Sequence, residues 1–255
     1  MIAIIDGDVL LYMSIWGMET KQEANDKFDG LFNSSLESVF ATDYVMAIGG
    51  PDNFRVDLFP NYKGNRTKSK STRPEWFLDL KSDIVERYEG CIFTDNCEAD
   101  DMLRVWANEL TAACIENIVI SVDKDLDCIP GLHYNPRKEL VYEVKEAYAD
   151  YFYWKQVKMG DPTDNIPGIP RIGPKTAEVI LEGSTDYRAS VCRAYEKFYK
   201  EEVPEILKAI GSEEIIRNEK KILESLGEIF TDKDNLLFFH NNSFKGQEKE
   251  LVVIN

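Results

Sequence analysis

The chain has 255 residues, 44% of them apolar and 11% aromatic, which excludes a disordered chain and gives room for one sizeable core and a small second lobe. Five cysteines without a CxxC pair and only two histidines leave little material for a structural zinc site, and fit a reduced, cytoplasmic protein. A net charge of −16 speaks against a protein that coats DNA non-specifically, yet residues 61–73 carry Lys63, Arg66, Lys68, Lys70 and Arg73 and no acid.

Ile2–Ile5 is a predicted strand. No basic n-region precedes it and acid follows at once, unlike a signal peptide, and no apolar run reaches the ~20 residues of a membrane span. Asp6-Gly7-Asp8 follows the strand. Asp6 is a candidate metal ligand, Gly7 lets the backbone turn closely, and Asp8 is either a supporting carboxylate or a helix cap. Leu10–Trp16 reads as a helix, 18–30 as a polar loop and 31–41 as another helix. Tyr44–Ile48 is a second strand, ending in Gly49-Gly50-Pro51-Asp52. Asp52 suits either an acidic cluster or an ordinary Pro-Asp turn.

The basic stretch comes next. Lys63 and Arg66 suit charge neutralisation on a phosphate, and Tyr62 suits stacking on a base. Thr72 and Glu75 have the spacing of a capping box, ahead of a stripe of Phe77, Leu80, Ile84 and Tyr88. A basic loop opening into a helix can lean over a sheet edge as a clamp. Cys91–Phe93 is a short strand.

Glu98-Ala99-Asp100-Asp101 opens a predicted helix whose core face is Met102, Val105, Trp106 and Leu110. Ile118–Val122 is a strand, followed by Asp123-Lys124-Asp125. Strand C-termini and helix N-termini meet at one edge of a parallel sheet, so this spacing gathers five carboxylates. Such a set repels itself unless hard cations neutralise it. Asp127 is expected to be structural. Strands at 132–134 and 140–144 flank a turn at Pro136, and His133 reads as a strand side chain rather than a general base. Aromatics at 148 and 151–154 lie in a helix and suit a core. A second acidic pair, Asp161 and Asp164, follows that helix.

Ile166–Ala177 has the form of a helix-hairpin-helix loop. Its glycines allow a tight turn, and Pro174 suits the first helical position. Backbone N–H groups there can hold phosphodiester oxygens without reading bases. The candidate DNA contacts are Gly168, Arg171, Gly173, Lys175 and Thr176, with Tyr62, Lys63, Arg66, Lys68 and Lys70 in the basic stretch. Further helices are expected at about 186–200, 204–210, 213–227 and 232–239, and Leu251–Ile254 as a docked terminal run. No internal repeat is visible.

The strings Ile5-Asp6-Gly7, Asn61-Tyr62-Lys63-Gly64-Asn65-Arg66, Glu98-Ala99-Asp100-Asp101, Ser121-Val122-Asp123-Lys124-Asp125, Gly160-Asp161-Pro162-Thr163-Asp164-Asn165 and Gly168-Ile169-Pro170-Arg171-Ile172-Gly173 occur in this order. Over residues 1–185 the chain resembles the structure-specific 5′-nuclease family. That family includes bacteriophage 5′–3′ exonucleases, flap endonucleases and the 5′-nuclease domain of DNA polymerase I, and the small size is most similar to a phage form. The resemblance implies an α/β fold: a PIN-like, Rossmann-like, mostly parallel central sheet with flanking helices, a helical clamp or arch and a helix-hairpin-helix lobe. Its domains would be a nuclease core at 1–145 with the clamp at about 62–90, a helical DNA-binding region at 146–240, and a tail at 241–255.

It implies two Mg²⁺ ions, replaceable by Mn²⁺, and K⁺ at the hairpin loop. Asp6, Glu98, Asp100 and Asp101 would surround the first ion. Asp123, Asp125, Asp161 and Asp164 would serve the second, with Asp123 between them. Lys63 and Arg66 would touch the scissile phosphate. The family's acid after the second strand falls at or near Gly50 here, with Asp52 as its candidate replacement. The partner would be DNA with a 5′ end, flap or nick, or an RNA–DNA hybrid, together with a replication protein. The protein would be a monomer in the cytoplasm, that of the host for a phage-encoded form. The reaction would be metal-dependent phosphodiester hydrolysis in replication or repair. Alternatives are a junction-binding protein without catalysis, an RNase H-like or PIN-type ribonuclease, and a haloacid-dehalogenase-type phosphatase with Asp6 as nucleophile.

Overall fold

The apolar run Ile2–Asp6 forms β1 at the centre of a six-stranded sheet, in a computed structural model that describes residues 1–66, 73–198, 236–238 and 252–254. The other strands are β2 (Asp43–Ile48), β3 (Cys91–Phe93), β4 (Asn117–Ile120), β5 (Gly131–Asn135) and β6 (Leu140–Val144), in the order β3-β2-β1-β4-β5-β6. All neighbours pair in parallel except β5 and β6. β1 and β4 therefore stand side by side where the strand order reverses, with Ile5 opposite Ile120. In open parallel sheets this reversal is where ligands bind, beyond the strand C-termini. The mostly parallel α/β architecture is the one expected from sequence.

The central strands are apolar on both faces because both are covered. Ala3, Ile5, Met46, Ile48, Ile118 and Ile120 face one layer, against Leu10, Phe28, Phe32, Leu80 and Ile84. Those side chains come from α1 (Gly7–Ile15), α2 (Lys21–Ser38) and α4 (Phe77–Arg87). Between β2 and α4 lies the short α3 (Phe54–Leu58). The alternate residues Ile4, Ala47 and Val119 are buried too, and α5 (Ala99–Ala112) packs against β1, β2 and β4.

Four expectations are corrected here. Residues 18–30 do not form a loop: from Lys21 they are the first half of α2. Thr20 Oγ1 accepts from Glu23 N at 3.2 Å and Glu23 Oε2 accepts from Thr20 N at 3.1 Å, a capping box that fixes the start. Ala24, Phe28, Phe32 and Ser35 then form the buried stripe. On α5 the fully buried apolar face is Ala99, Leu103 and Ala107, while Met102, Val105, Trp106 and Leu110 are half-buried. Two alanines let this helix lie close to the sheet. Finally, Leu236–Phe238 is a strand (β9) rather than part of a helix at 232–239. It pairs antiparallel with β10 (Val252–Ile254), which a local pattern cannot show. The helices expected at 204–210 and 213–227, and Lys68, Lys70 and Thr72, lie outside the described residues. The helix expected to start from Thr72 and Glu75 begins at Phe77, with Trp76 at its cap.

The described residues fall into two units, 1–57 with 73–149, and 58–66 with 150–198, 236–238 and 252–254. Most of α6 (Glu146–Met159) lies in the second. There it is followed by the two-residue strands β7 (Gly160–Asp161) and β8 (Ile166–Pro167), then α7 (Pro174–Leu181) and α8 (Tyr187–Lys197). Tyr195 donates to Val157 O at 2.8 Å and Lys155 pairs with Glu178, tying the three helices together.

Lys158 is fully buried, and its ammonium has no hydrogen-bond partner among the described residues. Burial pushes its pKa down to about 8. Lys158→Met is therefore expected to raise stability at pH 7 by about 1–3 kcal/mol, the usual cost of an unsatisfied buried polar group. The folded pKa lies below the unfolded one, so the unfolded chain binds more protons between pH 8 and an ordinary lysine value. The wild type should gain stability across that window and the advantage of the variant should shrink. Urea unfolding at pH 7 and pH 10 checks both statements.

Candidate active site

At the C-terminal edge of the first unit, Asp6 is 2% exposed. It ends β1 and caps α1, accepting from Val9 N at 3.0 Å through Oδ1. Its Oδ2 accepts from Ser121 Oγ at 2.7 Å. Ser121 Oγ in turn accepts from Asp123 N at 3.0 Å, and Asp123 Oδ1 accepts from Asp125 N at 2.8 Å. A continuous ladder thus joins the end of β1 to the 3₁₀ turn Lys124–Cys128 after β4. Burial, then the carboxylates of Asp100 and Asp8, push the Asp6 pKa well up, against the hydrogen bonds from Ser121 and Val9. So the first turn of α5 and the end of β1 place like charges together.

Glu98 caps α5, and its Oε1 accepts from Asn53 Nδ2 at 3.0 Å. Asp101 is buried in a bidentate pair with Arg55 of α3, both N–H···O distances being 2.7 Å. It also accepts from Glu98 N at 2.9 Å. Arg55 balances one acid of the cluster and locks α3 to α5; such fork-shaped pairing is strong and directional. Asp127, as expected, has a structural partner: it accepts from Tyr142 OH at 2.9 Å. His133 is a buried strand side chain, as expected, with Nε2 2.8 Å from Ile129 O. Asp8 caps no helix. Its Oδ2 accepts from Gly49 N at 2.8 Å, at the end of β2.

In the second unit, Asp164 is 3% exposed and gathers the basic loop. Tyr62 OH donates to its Oδ2 at 3.1 Å, Lys63 Nζ lies 3.9 Å away, and Arg66 pairs with its Oδ1. Lys63 N donates to Asp164 O at 2.9 Å, and Lys63 Nζ lies 5.0 Å from the Tyr62 ring centroid. Tyr62 is buried, which makes it an anchor of this loop rather than an open stacking face. Asp161 Oδ1 accepts from Thr163 N at 2.8 Å, shaping the turn before Asp164.

The expected hairpin is present between α6 and α7. At Gly168 a Cβ would come within 2.1 Å of Met159 C and 2.3 Å of Gly160 N, so only glycine fits. Gly173 caps α7, Pro174 occupies its first turn, and Arg171, Lys175 and Thr176 are exposed beside it.

The family profile described as the 5′-3′ exonuclease, N-terminal resolvase-like domain, matches residues 1–146. The chain belongs to this family. DNA polymerase I of Rhizobium leguminosarum is 33% identical over 156 residues, covering 56% of this chain and 15% of that protein. A 5′-3′ exonuclease of Buchnera aphidicola subsp. Schizaphis graminum is 27% identical over 199 residues, 71% of this chain and 69% of that protein. The chain thus spans only a small part of the polymerase. Two solved structures share the fold. T5 5′-exonuclease with bound divalent zinc ions has a TM-score of 0.63 at 21% identity, covering 76% of this chain and 78% of that one. The flap endonuclease of bacteriophage T5 with DNA and metal ions has a TM-score of 0.60 at 20% identity, covering 88% and 98%.

At Gly50 itself, the position at or near which the acid is expected, a side chain has no room. A Cβ on Gly50 would meet Thr94 O at 2.1 Å. Gly50 N donates to Thr94 Oγ1 at 2.9 Å instead. Asp52 is exposed, and Asn53 of this loop reaches Glu98. The sequence reading missed Ser121, Arg55 and Asn53. Their signal is adjacency to residues already singled out: Ser121 directly follows β4, two residues before Asp123, and Asn53 and Arg55 lie one and three residues past Asp52. Among the described residues no three His, Cys, Asp or Glu close into a metal cage. The oxygen-only donors around the buried Asp6 and the half-buried Asp100, which repel each other, nonetheless suit a hard cation.

Proposed function

We propose that the protein is a metal-dependent 5′ nuclease that hydrolyses phosphodiester bonds near 5′ ends and at single-strand to duplex junctions of DNA. The observation that carries this reading is the ladder Asp6–Ser121–Asp123, set where the strand order reverses and faced by Asp100. Asp6, Glu98, Asp100, Asp123 and Asp125 would hold the ions, and Asp101 would orient Glu98 while paired to Arg55. When bound, the ions supply an activated water and charge neutralisation on the phosphoryl group.

The remaining roles belong to side chains. Ser121 keeps the Asp6 carboxylate turned toward its strand end. Lys63 and Arg66 are proposed to meet backbone phosphate, held in place by Asp164 and Tyr62. Arg171, Lys175, Thr176 and the N-terminus of α7 offer a second phosphate contact that ignores base identity. No described helix is long and apolar enough to cross a membrane.

The test is a time course on 5′-labelled and 3′-labelled flap, nicked and RNA–DNA hybrid substrates, in Mg²⁺ and in EDTA. Cleavage near the 5′ end of the DNA substrates, in Mg²⁺ alone, is the expected result. Junction binding without cleavage would replace this reading by that of a binding protein, and faster cleavage of the hybrid would move the substrate toward RNA.

A further inference from the structure

Lys81 of α4 reaches the end of β2. Its ammonium donates to Gly49 O and stands 3.7 Å from Asp8 Oδ1, while Asp8 Oδ2 holds Gly49 N at 2.8 Å. Both backbone groups of Gly49 are thus taken by this acid–base pair. The Lys81 side chain is 17% exposed and its Nζ lies 5.8 Å from the Phe93 ring centroid, so the charge is largely shielded from water. The next residue, Gly50, has no room for any side chain. At this strand end the chain therefore places a fixed cation beside the Asp8 carboxylate, with no acid on Gly49 or Gly50 themselves. Asp8 is also one of the charges that bear on Asp6.

We propose that Lys81 is a positioning residue for the carboxylate edge: it fixes Asp8 against the Gly49–Gly50 turn and offsets part of the negative charge around Asp6 and Asp100, so that it sets how tightly divalent cations are held there. The inference rests on the reading of that edge as a metal centre. A cation beside a ligand set lowers the attraction for a second cation, and in a shielded site the effect exceeds its value in water. The bond to Gly49 O serves the turn, whereas the charge serves the edge.

The two roles separate experimentally. Lys81→Met removes bond and charge, Lys81→Gln keeps a donor for Gly49 O without charge, and Lys81→Arg keeps the charge. Calorimetric titration of the full chain with MgCl₂, without DNA, is the readout, alongside thermal unfolding. Lys81→Met and Lys81→Gln should bind Mg²⁺ about 3–10-fold more tightly than wild type, with Lys81→Arg within about two-fold. Unchanged or weaker Mg²⁺ binding in Lys81→Gln, with or without a lower melting temperature, overturns the proposal and leaves Lys81 a structural tie. If Lys81→Met does not fold, Lys81→Gln decides alone. A wild type that neither binds Mg²⁺ nor cleaves would overturn the nuclease reading itself, whereas a wild type that does both, with variants of unchanged affinity, overturns only the role of Lys81.

Discussion

Asp123→Asn is expected to slow single-turnover cleavage of a 5′-labelled flap about 10²–10³-fold in Mg²⁺, the usual loss when one electrostatic group at a reacting centre is removed, with the fold and duplex binding intact. The structure explains both halves. Asp123 Oδ1 is committed to Asp125 N, a bond that the amide oxygen of asparagine also makes. The N–H of residue 123 keeps its bond to Ser121 Oγ, so the ladder to Asp6 survives. Only the anionic charge and one oxygen ligand are lost. The hairpin that is proposed to hold duplex lies more than 40 residues further along the chain, in the second unit. Melting temperature, and a binding isotherm in Ca²⁺, check that the variant is folded and still grips DNA. A rate within a few-fold of wild type would remove Asp123 from the centre.

What could be read in the sequence follows from how local each signal is. Asp6 was legible because a continuous apolar run ends on it, and a buried parallel strand leaves its last polar residue at the sheet edge. The Gly/Pro hairpin was legible because its close approaches admit only glycine at 168. Ser121 was not, because a serine at a strand end carries no chemical signature until its partner, 115 residues away, is known. Arg55 and Asp101 are 46 apart, and neither suggests the other. Asp164 is a further case. The sequence places this acid in a motif, but its local role is visible only in the fold: it accepts from Tyr62 OH and is the counterion of Lys63 and Arg66. The polar stretch after Gly17 hides the start of α2, which is marked instead by the capping pair Thr20 and Glu23.

Gly50→Asp, which would put an acid where the family carries one, is expected to destabilise the fold by about 2–4 kcal/mol rather than to strengthen the metal centre. The obstacle is backbone, not a side chain that could swing aside: a Cβ at position 50 would stand 2.1 Å from Thr94 O and 3.3 Å from Thr94 C. Thr94 cannot yield easily. Its N–H donates to Ile48 O at 2.9 Å, its Oγ1 accepts from Gly50 N, and that hydroxyl donates to Cys97 O at 2.6 Å. Those bonds tie β2 to the segment that leads into Glu98, so moving Thr94 aside would also move the start of α5. Gly50→Ala isolates the steric part and should lose most of the same stability in urea unfolding. If Gly50→Asp instead unfolds at the wild-type midpoint and binds Mg²⁺ more tightly, the turn can open and the acid can be restored. If both variants lose stability together, the end of β2 is committed to packing. The carboxylates of the first unit's site must then come from β1, α5 and the turn after β4.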